Sequence, residues 1–308
     1  MASPLVEDEV IRVRASGKIN LALRSGPRRS DGYHELATIF QAVSVYDDLE
    51  ARWDEPGRFS VTMTGDQADL VPCDDSNLAV KAAALLARES GNRGLGCQLT
   101  IRKAIPVTGG MAGGSADAAA ALLACSVLWD LDADPDDLLE LGATLGADVP
   151  FCLTGGTALG TGRGDRLAPV LSRGSYYWVL VLNEAELSTP AVFGRFDQLR
   201  PLGGGEFAMP PELLSALIAG DPAALGRTLI NDLEQAAISL HPELAEVLRA
   251  GRELGALGGI VSGSGPTVAF LAGDERAAME LSVGLATHGI GRAIRRVHGP
   301  VPGARLLS

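Results

Sequence analysis

The segment Pro106-Val107-Thr108-Gly109-Gly110-Met111-Ala112-Gly113-Gly114-Ser115-Ala116-Asp117 places four glycines within residues 109–114. Before it, Gln98 to Arg102 alternates as a strand does; after it, Ser115 to Leu128 is an Ala- and Leu-rich run that predicts a helix. Glycine has no Cβ to block an approaching anion, so successive N–H groups can turn into one concavity. The positive end of the following helix faces the same spot. Residues 106–116 are therefore expected to cradle a polyphosphate, with the Ser115 hydroxyl available to a phosphate or to Mg²⁺. The competing reading is a flexible turn or tight packing of helix on strand. A Walker A loop would need Gly-Lys-Ser/Thr where Gly114-Ser115-Ala116 stands. A dinucleotide fingerprint counted from Gly109 meets Met111 where its second glycine belongs, which weakens a dehydrogenase reading.

Working outward, Val10–Arg14, Lys18–Leu23, Thr38–Val45 and Phe59–Thr64 alternate like half-buried strands, with a polar turn at residues 26–32. Asn77–Glu89 and Pro135–Leu145 read as helices capped by Ser76 or Asn77 and by Asp134. Gly155–Gly164 reads as a strand running into a turn. The polar break Ser172–Ser175 suggests a boundary between residues 1–172 and 173–308. Beyond it, Tyr176–Leu182, Gly259–Ser262, Thr267–Leu271 and Ala293–Val297 read as strands. Thr189–Leu199, Pro211–Ile218, Ala223–Ile230, Pro242–Leu254 and Glu275–Thr287 read as helices, and Pro201–Pro210 as a loop. The expected fold class is α+β in two lobes.

At 308 residues and 46% apolar, the chain can bury two cores. A formal charge of −12 argues against a nucleic-acid partner, because duplex binding needs a basic face. No charge-free run reaches membrane-spanning length, and Met1–Glu9 has no apolar core of a signal peptide, so a cytoplasmic location is expected. Cys73, Cys97, Cys125 and Cys152 form no metal-ligand spacing, and the last three read as small core residues. Only three of the 26 basic residues are lysines: Lys18, Lys81 and Lys103. Ammonium and guanidinium are not interchangeable, so each lysine is a candidate for a site that requires one, although genome composition would explain the same skew.

The glycine loop resembles the phosphate-binding motif of the GHMP kinases, Pro-x-x-x-Gly-Leu-x-Ser-Ser-Ala. Its Gly-Gly-x-x-Gly-Gly-Ser form is that of one branch, the 4-diphosphocytidyl-2-C-methyl-D-erythritol kinases. Ser16-Gly17-Lys18-Ile19-Asn20-Leu21 resembles the family's N-terminal Pro-Ala-Lys-Ile-Asn-Leu, and Ser262-Gly263-Ser264-Gly265-Pro266-Thr267 its C-terminal glycine motif. Asp31-Gly32-Tyr33-His34-Glu35 and Leu145-Gly146-Ala147-Asp148-Val149-Pro150-Phe151 are similar to signatures of the branch. The motifs run in order from residue 10 to about 270. Departures are Ser16-Gly17 for Pro-Ala and Met111-Ala112 for the usual Leu-Gly.

This resemblance implies a ribosomal S5 domain-2-like N-terminal half and a ferredoxin-like C-terminal half, with ATP and a small hydroxyl acceptor meeting between them. It implies Asp148 as catalytic base and Lys18 as its partner; a helix N-cap at Asp148 and an exposed strand lysine are the alternatives. It implies that Tyr33 and His34 hold a cytosine, that Phe193, in Thr189-Pro-x-x-Phe193, stacks on its other face, and that Asn20 meets the erythritol. Ordinary packing would also account for Tyr33, His34 and Phe193. Asn77 and Lys103 are expected near the nucleotide, Ser262–Gly265 at the floor of the site, and Ser115 against Mg²⁺. Mevalonate or homoserine as acceptor, and a nucleotide-binding regulator without catalysis, remain open alternatives.

Overall fold

A computed structural model describes residues 9–29, 32–183, 187–200 and 207–307. Asp31 of the Asp-Gly-Tyr-His segment, the N-terminal Met1–Asp8 and most of the loop expected at 201–210 lie outside the described residues.

The first sheet is built on two long antiparallel strands, β1 (Ile11–Arg28) and β2 (His34–Trp53). The two strands expected at 10–14 and 18–23 are one. The ladder shifts register between Ser16 and Gly17 instead of ending, and it continues to Arg28 through the expected turn. β3 (Phe59–Gly65) lies parallel to β4 (Cys97–Lys103), and β4 pairs with the second half of β2. The first half of β2 pairs with β5 (Thr157–Gly162), which carries β6 (Arg166–Pro169).

α1 (Leu78–Glu89) and α2 (Gly113–Leu128) cover one face of this sheet. α1 starts at Asn77, whose side chain accepts the Ala79 N–H. α2 is apolar nearly all round, as a helix sunk in a core must be. It begins at Gly113, two residues before the position expected from sequence. α3 (Pro135–Leu145) opens with a capping box between Asp134 and Asp137, and the six-residue α4 (Val149–Thr154) follows.

The second sheet is antiparallel throughout, in the order β11 (Ala293–Gly299), β7 (Tyr176–Leu182), β10 (Val268–Ala272), β9 (Gly258–Val261). Between β7 and β9 (Gly258–Val261) the chain makes α5 (Thr189–Leu199), α6 (Pro211–Ala219), α7 (Pro222–Thr228), β8 (Ile230–Asn231), α8 (Glu234–Leu240) and α9 (Glu243–Glu253). After β10 (Val268–Ala272), α10 (Glu275–Thr287) leads to β11 (Ala293–Gly299). This connectivity and order make the second half ferredoxin-like. The helix expected at 223–230 stops at Thr228 because Ile230 and Asn231 pair with Ala22 and Leu23 of β1. The tail also returns: β12 (Arg305–Leu306) pairs with Val13 and Arg14. The 8-stranded first sheet thus takes two strands from beyond residue 173 and ties the lobes together.

Candidate active site

Lys18 stands at the centre. Its strand position buries the stem and leaves 6% of the side chain exposed. Nζ donates to Asn20 Oδ1 and to the Gly110 carbonyl, both at 2.9 Å, and lies 3.7 Å from Asp148 Oδ2. The ammonium also sits 5.5 Å from the centroid of the Phe40 ring. Asn20 Nδ2 in turn donates to Thr38 Oγ1, which donates to the Ala22 carbonyl. This chain of hydrogen bonds fixes the lysine head. Asp148 occupies the cap position of α4, yet its carboxylate makes no capping hydrogen bond. It is turned to Lys18 and remains about one-third exposed.

The glycine loop is exposed at Thr108 and Gly114 and packed between them. Pro106 and Met111 are buried. The Val107 N–H donates to Gln67 Oε1, the Thr108 hydroxyl to the Val107 carbonyl, and the Lys18 N–H to the Met111 carbonyl. Thr108 and Ala112 both adopt the left-handed region, with φ of 56° and 62°. Ala112 does so at the cap of α2, where the resembling motif carries glycine. Gly113, Gly114, Ser115 and Ala116 form the first turn of that 16-residue helix, with Gly114 exposed. The Ala116 N–H already donates to the Ala112 carbonyl, and the N–H groups of Gly113, Gly114 and Ser115, which precede the first intrahelical bond, suit this end of the helix to an anion.

The second glycine segment closes on the first. Ser262 Oγ donates to the same Gly110 carbonyl at 3.3 Å. A Cβ on Gly263 would lie 3.4 Å from Asn20 Oδ1, and one on Gly109 only 2.9 Å from Thr267 Oγ1. Asn231 Nδ2 holds the turn by donating to the carbonyls of Val261 and Gly263. Thr189 Oγ1 shares a hydrogen bond with Ser264 Oγ, which anchors the start of α5 here.

Further along α5, Phe193 stacks on His34 with ring centroids 5.0 Å apart, and Phe196 meets that imidazole edge-on. His34 Nε2 lies 2.7 Å from Asp197 Oδ1. Tyr33, beside it, is exposed. The residues expected to hold a base are thus neighbours, and the imidazole already covers part of the Phe193 face.

Two residues expected near the nucleotide have their side-chain bonds inside the fold. Asn77 caps α1 and donates to the Pro72 carbonyl. Lys103 is buried between Asp47 Oδ2 at 2.5 Å and Asp117 Oδ2 at 2.6 Å. Asp47 Oδ1 also accepts the N–H groups of Ala104 and Ile105. Lys103 precedes the loop and Asp117 follows it, so this buried group staples the two stems of the loop together. Burial, with the Asp47 carboxylate nearby, pushes the Asp117 carboxyl up to about 8, while Lys103 pulls the other way. Asp117 Oδ1 has no hydrogen-bond partner in this site. Lys81, the third lysine, is exposed on α1.

Thr38, Asp47, Asp117, Asn231 and Asp197 were not singled out by sequence. Asp117 left a signal, an acid inside an otherwise apolar helix. Among the described residues, no group of three or more His, Cys, Asp or Glu side chains could hold a metal, and no helix is long and apolar enough to cross a membrane.

Comparison with known proteins gives the family. The GHMP kinases N terminal domain matches residues 77–156 and the GHMP kinases C terminal domain residues 213–290. A Rhodococcus jostii protein named 4-diphosphocytidyl-2-C-methyl-D-erythritol kinase is 52% identical over 297 residues, covering 96% of this chain and 94% of its own. A Cutibacterium acnes protein of the same name is 50% identical over 301 residues, covering 96% and 97%. The crystal structure of a 4-(cytidine 5'-diphospho)-2C-methyl-D-erythritol kinase superposes with a TM-score of 0.76 at 34% identity, covering 93% of this chain and 98% of that one. L. major mevalonate kinase shares the fold, with a TM-score of 0.75 at 19% identity over 98% of this chain and 99% of its own. The chain belongs to the GHMP kinases, in the family of the 4-diphosphocytidyl-2-C-methyl-D-erythritol kinases.

Proposed function

We propose that this chain transfers the γ-phosphoryl group of ATP to the 2-hydroxyl of 4-diphosphocytidyl-2-C-methyl-D-erythritol, giving the 2-phosphate and ADP on the methylerythritol phosphate route to isoprenoid precursors. The observation that carries this reading is the position of Lys18 Nζ, shared between the Gly110 carbonyl of the glycine loop and the Asp148 carboxylate. A cation there touches both the cradle for the donor and the base for the acceptor.

In phosphoryl transfer most of the work is positioning and charge neutralisation. The triphosphate lies along Pro106–Ala116, held by backbone N–H groups and the first turn of α2. Asp148 orients the acceptor hydroxyl and takes its proton as the new P–O bond forms. Lys18 pairs with that carboxylate and offsets the charge gathering on the transferred group. Asn20 meets the erythritol, and Tyr33, His34, Thr189 and Phe193 line the cytidine end. Asn77 and Lys103 support the nucleotide side from within the fold.

For Mg²⁺ the loop supplies a hydroxyl rather than a carboxylate. The described residues offer no carboxylate cluster, while the Ser115 hydroxyl stands in the first turn of α2, facing Gly146. Ser115 would hold the ion, which supplies neutralisation of the β and γ oxygens when bound. We place the enzyme in the cytoplasm, acting on a small molecule and on neither nucleic acid nor membrane.

The test is ADP release by purified protein with ATP, Mg²⁺ and one acceptor at a time. Turnover is expected with the cytidylated substrate and not with mevalonate or homoserine, which have no base for His34 and Phe193 to meet. Turnover with either of those alone would overturn the acceptor. ATP binding without turnover on any acceptor would point to a regulator.

A further inference from the structure

We infer that Asn231 is a positioning residue for phosphoryl transfer, which sets the Gly263 peptide against the Lys18 ammonium. This rests on the kinase reading proposed above, and it concerns a residue outside every motif read from the sequence.

Asn231 lies in β8, paired with Leu23 of β1. Its amide has one fixed sense. Nδ2 donates to the carbonyls of Val261 at 2.8 Å and of Gly263 at 2.7 Å, while Oδ1 accepts the Leu233 N–H at 2.9 Å. A reversed amide would set its oxygen against two carbonyl oxygens and its NH₂ against an N–H, so only this orientation satisfies all three partners. The next residues secure the same junction. Asp232 accepts the Ser25 N–H and an N–H of Arg24 from β1, and Glu234 Oε2 accepts the Val261 N–H. Residues 231–234 therefore register the second glycine segment on the strand that carries Lys18 and Asn20.

Gly263 is where that register meets the chemistry. Its φ is +59°, and a Cβ there would stand 3.4 Å from Asn20 Oδ1, 3.5 Å from the Gly110 carbonyl oxygen and 3.5 Å from Lys18 Nζ. The backbone of Gly263 thus borders three groups around the ammonium, and Asn231 holds its carbonyl. Ser262, one residue earlier, donates to the Gly110 carbonyl that Lys18 also uses. Without the two Asn231 donors, the peptides between Val261 and Gly263 can tilt against Nζ. A misplacement on the order of 1 Å costs about 10²-fold in rate even when the altered residue is remote from the reacting atoms. None of the three Asn231 bonds goes to the phosphate loop, to Lys18 or to Asp148, so the effect belongs in kcat and not in the binding of either substrate.

Two variants of the full chain separate this clamp from a local cap. Asn231→Asp keeps the size and still accepts the Leu233 N–H, but turns an oxygen towards the two carbonyls. Asn231→Ala removes both functions. Each should lower kcat per folded molecule, read as ADP release with the cytidylated acceptor, by about 10- to 100-fold. KM for ATP and for the acceptor should stay within about 3-fold of wild type, as for an interaction realised in the transition state. Amide hydrogen exchange over residues 258–268 should quicken in both, with that of α2 unchanged. A wild-type kcat in folded Asn231→Asp would reduce the side chain to a cap and overturn the inference. A loss confined to KM, or unchanged exchange over 258–268, would overturn it equally. If Asn231→Asp does not fold, Asn231→Ala decides by the same readouts. If the wild type phosphorylates no acceptor, the kinase reading fails and the inference falls with it; if it turns over normally and the folded variants match it, the inference alone fails.

Discussion

Two glycines four residues apart in the phosphate loop should respond to alanine in opposite ways. At Gly110, φ is +72° and a Cβ would stand 2.3 Å from the Ser262 carbonyl oxygen and 3.1 Å from that of Gly265. The turn would have to retreat by at least ~0.7 Å, an overpacking cost of about 1–3 kcal/mol. The left-handed backbone adds about 1–2 kcal/mol for any residue with a Cβ. Reduced freedom of the unfolded chain returns about 0.4–1 kcal/mol. Gly110→Ala should therefore lose roughly 2–4 kcal/mol, a fall in Tm of about 3–6 °C for a chain of this size. Its carbonyl carries Lys18, so a shift approaching 1 Å should also cut kcat/KM by about 10²-fold. At Gly114 a Cβ would meet no atom within 4 Å, and the residue is already helical. Gly114→Ala should raise stability by about 0.5–1 kcal/mol, as alanine does in a helix. The same methyl stands at the mouth of the anion site. It should raise the KM for ATP by about 10- to 100-fold, the value of one hydrogen bond to a charged group. Thermal unfolding without nucleotide, paired with initial rates of ADP release, separates the two effects. A wild-type KM for ATP in Gly114→Ala would show that the triphosphate lies elsewhere. A wild-type Tm in Gly110→Ala would show that the two glycine segments do not pack as described.

Asp148→Asn should lower kcat by about 10²–10⁴-fold while leaving Tm unchanged, because the carboxylate makes no capping bond to lose; single-turnover rates within a few-fold of wild type would remove it as the base. Phe193→Ala should raise KM for the acceptor more than it lowers kcat, since stacking binds ground and transition states alike; a pure kcat effect would contradict a stacking role. Asp117→Asn should reveal a pH dependence. The native carboxyl is raised from 3.8 to about 8, so its contribution to stability is greatest below pH 4 and is lost as pH rises towards 8. Denaturant titrations at pH 5 and pH 8 should show the wild type losing stability relative to Asp117→Asn over that interval, and a constant difference between them would mean that Asp117 is ionised throughout.

The parts of the fold legible in the sequence are those whose residues state a local demand. The glycines of 109–114 declare a backbone that must approach something, and Asp134 with Pro135 declares a helix start. Other features depend on partners far along the chain. The stretch 10–28 reads as two strands and a turn because Gly17 interrupts the alternation. The structure carries the ladder through it, since β2 supplies the hydrogen bonds and a Cβ on Gly17 would come within 3.1 Å of Val45. Asn231 falls just past the helix expected at 223–230, yet pairing with β1 turns it into the clamp of the second glycine segment. Asp47 and Asp117 are 70 positions apart and meet only through Lys103. No periodicity carries that information. Asp197 is similar, an ordinary helical acid until β2 brings His34 to it.

The scarcity of lysine acquires a physical reason once these contacts are known. An ammonium projects three hydrogens in tetrahedral directions, whereas a guanidinium presents its donors in one plane. Lys18 bonds to Asn20 and to Gly110 and faces Asp148, three partners around one buried head. Lys103 likewise binds two carboxylates at one buried point. In a chain that otherwise uses arginine, both buried lysines stand where a compact charge must serve several partners at once. Lys81, on the surface, has no such requirement. The same geometry couples the lobes: the Gly110 carbonyl accepts from Lys18 of the first and from Ser262 of the second. A displacement of the second glycine segment therefore reaches the ammonium through a single atom, so the lobes must be in register before donor and acceptor can be.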